Sequence, residues 1–164
     1  MVNIEVCKNN GHWSRYTDFY VTNRQHIIPG YQVTNALLDI KHCIRNGRGA
    51  ILTDESDEVI GIGSFVLGLE KEKFNHKEIA VLGNSYFTDK YRNNRTFIRG
   101  LQVLAEQIGD MNGDVKEVRI PTLAGNAYTN GLYRKIADKV ETMDTRYGPI
   151  HMYSTTYEAF ASFC

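Results

Sequence analysis

The chain has 164 residues, of which 42% are hydrophobic and 23% charged, values typical of one globular domain. A chain of this length buries about 70% of the surface that its unfolded form exposes, enough for a core without disulfides or metals. Its 19 basic and 19 acidic side chains give a formal net charge of zero, which argues against nucleic-acid binding through bulk charge and permits a homodimer.

The first third of the chain predicts one strand and two helices. Alternating apolar residues over 2–6 indicate a short strand, and aromatic residues at helical spacing over 13–20 predict a helix with an aromatic face. A second helix begins near residue 33, and Gly47 is placed to end it. Its predicted apolar stripe consists of Val33, Leu37, Ile40 and Ile44.

The middle of the chain predicts a hairpin and a central strand. Apolar runs over 49–54 and 59–67 flank a short polar turn, the pattern of a β-hairpin. A polar connection over 70–76 leads to a strand over 78–87. The first half of that strand is apolar on both faces, which places it inside a sheet.

The rest of the chain predicts helices that alternate with strands. From Thr96 the apolar period becomes helical, with Gly109 as the stop. The stripe consists of Phe97, Leu101, Leu104 and Ile108. A strand over 115–123, a helix over 127–137 and two strands, 139–143 and 150–155, follow. This order predicts one α/β (α+β) domain over 1–164, with a mixed, mostly antiparallel sheet of six to seven strands and helices on both faces.

Residues 86–97 combine the end of a central strand, a polar and basic loop, and a helix start. Amide N–H groups in the first turn of a helix lack intrahelical partners, and the helix dipole is positive there. A diphosphate binds at such a junction, where Arg92 and Arg95 would add charge. The alternative is a solvated loop of arginine and asparagine.

Residues 126–137 form the second candidate segment. Asn126 suits the N-cap of the helix, and Leu132 and Ile136 lie four residues apart, facing the core. Tyr133 lies one position round, where it could point into a cleft and protonate a leaving group. Since the chain has ten tyrosines, a packing or surface role is the alternative.

In this order, the two segments resemble motifs A and B of the GNAT acetyl-CoA-dependent N-acyltransferases. The motif A loop reads (Q/R)-x-x-G-x-(G/A), and residues 91–97 read YRNNRTF, which places Arg92 on the leading position. Motif B often reads N-x-x-A-x-x-L-Y-x-K-x-G-F. The positions that match it in register are Asn126, Leu132, Tyr133 and Lys135.

The sequence departs from both motifs. Thr129, Ala137 and Asp138 replace the alanine, glycine and phenylalanine of motif B. In motif A, Arg95 and Phe97 stand where the family has glycines that let the backbone approach the pyrophosphate. We expect Phe97 to crowd the contact between helix and strand, or to push the loop outward.

The resemblance implies transfer of an acetyl or other acyl group from acyl-CoA to an amine, within a ternary complex and without a metal. The cleft would span residues 84–137 and open between the strand that ends at Phe87 and the strand over 118–123. The residues implied for acyl-CoA binding are Ser85, Tyr86, Phe87, Arg92, Asn93, Asn94, Arg95, Thr96 and Asn126.

The resemblance also implies catalytic roles. Tyr133 would be the general acid on the CoA sulfur. Glu78 and Asn84 are candidates for the base, with Asn84 able to hold a water, and a solvated carboxylate is the alternative for Glu78. The amine acceptor, small or macromolecular, would meet an aromatic rim over 12–35, for which packing onto the sheet is the alternative.

Two other functions remain open at this point. The missing glycines favour a non-catalytic GNAT-like module that binds protein or nucleic acid. A transferase with a different acyl donor is the other, as in acyl-homoserine-lactone synthases and long-chain acyl relatives.

The three cysteines, Cys7, Cys43 and Cys164, lack the spacing of a structural zinc site. The first residues lack the basic and apolar regions of a signal peptide, and no apolar stretch approaches about 18 residues. We therefore expect a cytoplasmic protein with reduced thiols and no membrane span.

Overall fold

The computed structural model describes residues 2–163, with the side chain of Asn94 excepted; Cys164 lies outside the described residues. The strands are β1 (Asn3–Val6), β2 (Gly47–Thr53), β3 (Val59–Leu69), β4 (Asn75–Leu82), β5 (Tyr86–Phe87), β6 (Glu117–Leu123), β7 (Asp138–Thr145) and β8 (Gly148–Thr156). The helices are α1 (Asn10–Thr22), α2 (Arg24–Ile27), α3 (Val33–Asn46), α4 (Asn94–Met111), α5 (Ala127–Tyr133) and α6 (Tyr157–Phe163), with 3₁₀ turns at Glu70–Glu72 and Asp89–Tyr91.

The strands form one mixed sheet in the order β1-β2-β3-β4-β6-β8-β7, and β5 pairs with β3. Only the pairing of β4 with β6 is parallel among the described strands. Helices α1 and α3 pack on one face of the sheet, and α4 and α6 pack on the other. The prediction of a mixed, mostly antiparallel sheet with helices on both faces is confirmed.

The sheet has eight strands rather than six or seven, because the predicted strand over 78–87 is divided in two. Between the pairs Phe65–Leu82 and Ile62–Tyr86, β3 advances three residues while the partner chain advances four. One extra residue makes a β-bulge, which re-aims the chain that follows it. Gly83 permits the bulge, since a Cβ there would lie 2.1 Å from the Ser64 Oγ.

The predicted apolar stripe of α3 is wrong at three of its four positions. Val33, Leu37 and Ile44 are 40–48% exposed, whereas Ile40 is buried as predicted, together with Ala36 and Cys43. Gly47 does end the helix, and β2 begins at that same residue. A Cβ at Gly47 would lie 1.7 Å from the Phe65 carbonyl oxygen, so a larger residue would not fit where the helix joins the sheet.

The predicted stripe of α4 is buried in full, but Gly109 does not end the helix, which continues to Met111. A Cβ at Gly109 would lie 2.5 Å from the Tyr157 hydroxyl, and that hydroxyl donates to the Ala105 carbonyl at 2.8 Å. Gly109 therefore admits a residue of α6 against α4. Helix α5 ends at Tyr133 rather than at 137.

No helix among residues 2–163 is both long enough and apolar enough to cross a membrane.

Candidate active site

A cleft opens where β4 and β6 separate. These strands pair in parallel for three residues, from Ile79 and Glu117 to Val81 and Arg119. Beyond the bulge, β5 stays with β3, whereas β6 stays with β8 as far as Leu123. The space between β5 and the start of α5, which follows β6, is about 490 Å³, including the part that is open to solvent.

The cleft brings together five of the residues predicted for acyl-CoA binding, from three separate segments of the chain. These residues are Ser85, Tyr86, Phe87, Arg92 and Asn126. The lining that was not predicted comes from α2 and α5, together with one residue of α4. It consists of His26, Ile27, Phe97, Tyr128 and Thr129.

Tyr133 lies in the core beside the cleft, 4% exposed, and its ring contacts those of Phe97 and Tyr153. Burial raises the pKa of its hydroxyl to about 12, and a hydrogen bond with Ser85 acts in the opposite direction. The hydroxyl is therefore protonated at neutral pH and can donate. Cleft and core were the alternatives predicted for Tyr133; its ring belongs to the core, and its hydroxyl meets Ser85, which lines the cleft.

Asn84 and Ser85 lie between β4 and β5 and contact different helices, Asn84 meeting Tyr20 of α1 and Ser85 meeting Tyr133 of α5. The Asn84 Nδ2 donates to the Tyr20 hydroxyl at 2.9 Å, and Tyr20 and Tyr31 share a hydrogen bond of 2.8 Å. Because the Tyr31 hydroxyl donates to Asp39, the proton between the two tyrosines comes from Tyr20. The chain of hydrogen bonds fixes the Asn84 amide through its nitrogen.

This network was missed by the sequence analysis. Burial raises the pKa of the Asp39 carboxyl, while the hydrogen bond from Tyr31 lowers it. The aromatic residues of α1 and the segment after it mainly pack onto the sheet, which was the alternative given for them. No local spacing could reveal a network that joins positions 20, 31, 39 and 84.

The structure does not bring Glu78 to the cleft. It lies on β4, six residues before Asn84, which comes after the end of that strand; six residues span about 20 Å in extended chain. Its carboxylate is exposed and lies 3.3 Å from His76 Nδ1. The cleft opens at the carboxyl end of β4, whereas Glu78 lies near the beginning, so the solvated alternative describes it.

The Arg92 guanidinium turns inward from the loop. Its Nη2 donates to the Phe87 carbonyl at 3.2 Å and lies 3.3 Å from Asp89, and its Cζ lies 5.1 Å from the centroid of the Tyr86 ring. Arg92 therefore covers β5 from the side of the cleft. Arg95 is exposed in the first turn of α4.

The remaining loop residues serve the start of α4. Asn93 caps the helix, and its Oδ1 accepts from the Thr96 amide at 2.9 Å. One first-turn amide is thus already bonded within the protein. Asn126 caps α5 in the same way, accepting from the Thr129 amide at 3.1 Å, which confirms the predicted N-cap.

Phe97 neither crowds the helix nor displaces it. The side chain is 4% exposed, and its ring lies 5.9 Å from Phe87, 5.7 Å from Tyr133 and 6.4 Å from Tyr128. Gly61 on β3 makes room for the Phe87 ring of this cluster, since a Cβ at Gly61 would lie 2.2 Å from that ring. The glycine that accommodates this aromatic cluster is on the facing strand rather than in the loop.

Two further residues of α5 shape the cleft. The Tyr128 hydroxyl is buried and has no hydrogen-bond partner among residues 2–163. Asn130 is buried and donates to the carbonyls of Leu123 and Asn126 at 3.0 and 2.8 Å, while its Oδ1 accepts from Tyr153 at 2.6 Å. Asn130 thereby holds the turn between β6 and α5.

No group of histidine, cysteine and carboxylate side chains within residues 2–163 is arranged to hold a metal ion. Cys7 and Cys43 are free and buried.

Comparison with known proteins identifies solved structures that share this fold. No protein-family model and no protein of curated function matches the sequence. A solved GNAT-family acetyltransferase from Staphylococcus aureus matches with a TM-score of 0.73 at 11% identity, over 96% of this chain and 99% of that one. An aminoglycoside acetyltransferase in complex with coenzyme A and kanamycin matches with a TM-score of 0.71 at 11% identity, over 99% and 98%.

A phosphinothricin acetyltransferase from Sinorhizobium meliloti, solved in complex with acetyl-CoA, also matches with a TM-score of 0.71 at 11% identity, over 94% of this chain and 88% of that one. The likeness extends over nearly the whole chain in all three cases, although the sequences are far apart. The chain therefore has the fold of the GNAT acetyltransferases.

Proposed function

We propose that the protein is an acyl-CoA-dependent N-acyltransferase that works in the cleft between β5 and β6. The observation that carries this proposal is the position of Tyr133, whose protonated hydroxyl shares a hydrogen bond with Ser85, a residue that lines the cleft. Solved proteins of this fold bind coenzyme A and acetyl-CoA. The proposal extends that donor to this chain.

The residues of the cleft fit such a donor. The buried Tyr128 hydroxyl lacks a hydrogen-bond partner among the described residues, so a ligand that accepts a hydrogen bond from it would satisfy it. Lys90, Arg92 and Arg95 outnumber Asp89 in the loop before and at the start of α4, where a diphosphate would gain charge and helix amides. We assign Tyr128, Arg92 and the backbone of β5 to donor binding.

Transfer requires a bond from the amine nitrogen to the acyl carbon, and loss of the bond from that carbon to sulfur. One proton leaves the nitrogen and one reaches the sulfur, so the products are an amide and free CoA thiol. Tyr133 supplies the proton to sulfur, as the general acid. The Asn84 carbonyl, fixed through Tyr20, accepts a hydrogen bond from the attacking amine or from a water that carries its proton away.

The direct test measures release of CoA thiol from acetyl-CoA with a panel of amines. Tyr133→Phe should lower turnover about a hundredfold or more while CoA affinity stays roughly constant, since only the proton donor is lost. Tyr157→Phe is the matched control, because it removes a partly buried hydroxyl that donates to Ala105 outside the cleft. Equal turnover in Tyr133→Phe and wild type would remove Tyr133 from the acid role.

A non-catalytic binding module is the second candidate. The observation that favours it is the hydrogen bond from the Arg92 guanidinium to the Phe87 carbonyl. Phe87 is on β5, the strand with which the pantetheine arm of CoA would pair. Under this alternative the protein would not bind CoA, and the exposed Arg95 would belong to a surface for a macromolecule. A mobility-shift assay with RNA and DNA at stated salt, run beside a CoA titration, separates the two candidates.

A further inference from the structure

An apolar crevice lies beside the cleft, between the sheet and α4. Ser85 and Tyr133 line one end of it, and its lining reaches Leu52 on β2 and Ile4 on β1. β4, β3, β2 and β1 are consecutive in the sheet, so this course spans about 14 Å across the strands. Leu101 and Leu104 of α4 cover it.

The crevice adjoins the cleft. Ser85, Phe87 and Phe97 line both spaces. Tyr133, whose hydroxyl we place at the donor sulfur, lines the crevice. With the sulfur beside Tyr133, a group attached to the acyl carbon is therefore within reach of the crevice.

Glycines make the room in the crevice. Gly63 lies on β3 and Gly100 lies on α4, and both line the crevice. A Cβ at Gly63 would first meet Leu104 at 3.6 Å, and one at Gly100 would first meet Phe87 at 3.8 Å. Both positions would therefore accept a methyl group at ordinary contact distance, and the space is not needed for close backbone packing.

The size of the crevice limits what it can take. The space that the centre of a water-sized group can occupy in it is about 20 Å³, and a single such group needs about 10–15 Å³ measured in this way. The walls are apolar, and a cavity of that kind stays dry in water and takes up apolar groups. One or two carbon atoms fit into it, whereas a long chain does not.

We propose that this crevice receives the end of the acyl group, and that the preferred donor carries a propionyl or butyryl group rather than acetyl. This inference rests on the proposed function. Each methylene of the acyl chain that moves from water into the crevice should raise the affinity for the acyl-CoA about fourfold. Affinity should therefore rise from acetyl-CoA to butyryl-CoA and rise no further with hexanoyl-CoA.

The experiment is a calorimetric titration of the full chain with CoA, acetyl-CoA, propionyl-CoA, butyryl-CoA and hexanoyl-CoA. The expected result is tightest binding for propionyl-CoA or butyryl-CoA, about fourfold to sixteenfold tighter than acetyl-CoA. If all the thioesters bind alike while CoA itself binds, the crevice is not an acyl site and the proposed function stands. If no CoA compound binds, the proposed function fails together with this inference.

Matched variants tie the preference to the crevice. Gly63→Ala and Gly100→Ala should remove the gain of butyryl-CoA over acetyl-CoA and leave acetyl-CoA affinity unchanged, because the added methyl occupies the space. Gly113→Ala is the control, since a Cβ there meets no atom within 4 Å and Gly113 lies outside the crevice. Melting curves report whether each variant folds. An unchanged chain-length preference in folded Gly63→Ala and Gly100→Ala would overturn the assignment.

Discussion

Replacing Phe97 with alanine tests whether this side chain, which lines the cleft, is also packed in the core. Its ring is 4% exposed and lies within 6.4 Å of the rings of Phe87, Tyr128 and Tyr133. Truncation of a buried phenylalanine costs about 3–5 kcal/mol, from lost burial and from the cavity that remains. For a domain of this size, that loss lowers the melting temperature by about 10 °C.

Urea unfolding of wild type and Phe97→Ala measures the change in the free energy of unfolding. Phe163→Ala is the matched control, because Phe163 is 43% exposed and its loss should change stability by about 0.5 kcal/mol or less. A loss below about 1 kcal/mol in Phe97→Ala would refute the reasoning. It would mean that the ring is not packed and that the loop before α4 is displaced.

Two other changes test the surroundings of the cleft. Tyr20→Phe should lower the free energy of unfolding by about 1–3 kcal/mol, because the Asn84 amide loses its acceptor and Tyr31 loses its donor; chemical unfolding measures this, and no change would mean that the network does not form. Burial raises the pKa of the Cys43 thiol from 9.0 to about 11, so the unfolded chain releases this proton first and stability falls as pH rises from 9 to 11. Cys43→Ala should flatten that fall, by up to about 1.4 kcal/mol per pH unit, in unfolding curves recorded across this range, and an identical pH dependence in both proteins would contradict it.

Burial could be predicted from the sequence where it follows the helical spacing of apolar residues. Phe97, Leu101, Leu104 and Ile108 lie on one face of α4 and are buried, as the helical spacing indicates. In α3, Val33, Leu37 and Ile44 are exposed instead. The end of that helix packs closely on Phe65, a residue distant in sequence, and such a contact leaves no local pattern.

The candidate site divides in the same way. The spacing around Asn126 and Tyr133 is local, and it predicts the N-cap of α5, which Asn126 provides. Tyr133 is buried in the core next to the cleft. The partners that define their surroundings are not local. Tyr128 is distinguished by a hydroxyl that lacks a partner among the described residues, and Asp39 by a chain of tyrosines, and neither leaves a pattern in the sequence.

The central claim, that the cleft between β5 and β6 binds an acyl-CoA, is tested most directly by titrating the protein with CoA and following heat and melting temperature. The account predicts saturable binding of one CoA per chain. At a CoA concentration of 100 times Kd, binding would add about 2.7 kcal/mol to stability, a rise in melting temperature of about 5–10 °C. No heat and no rise in melting temperature at millimolar CoA would contradict the account.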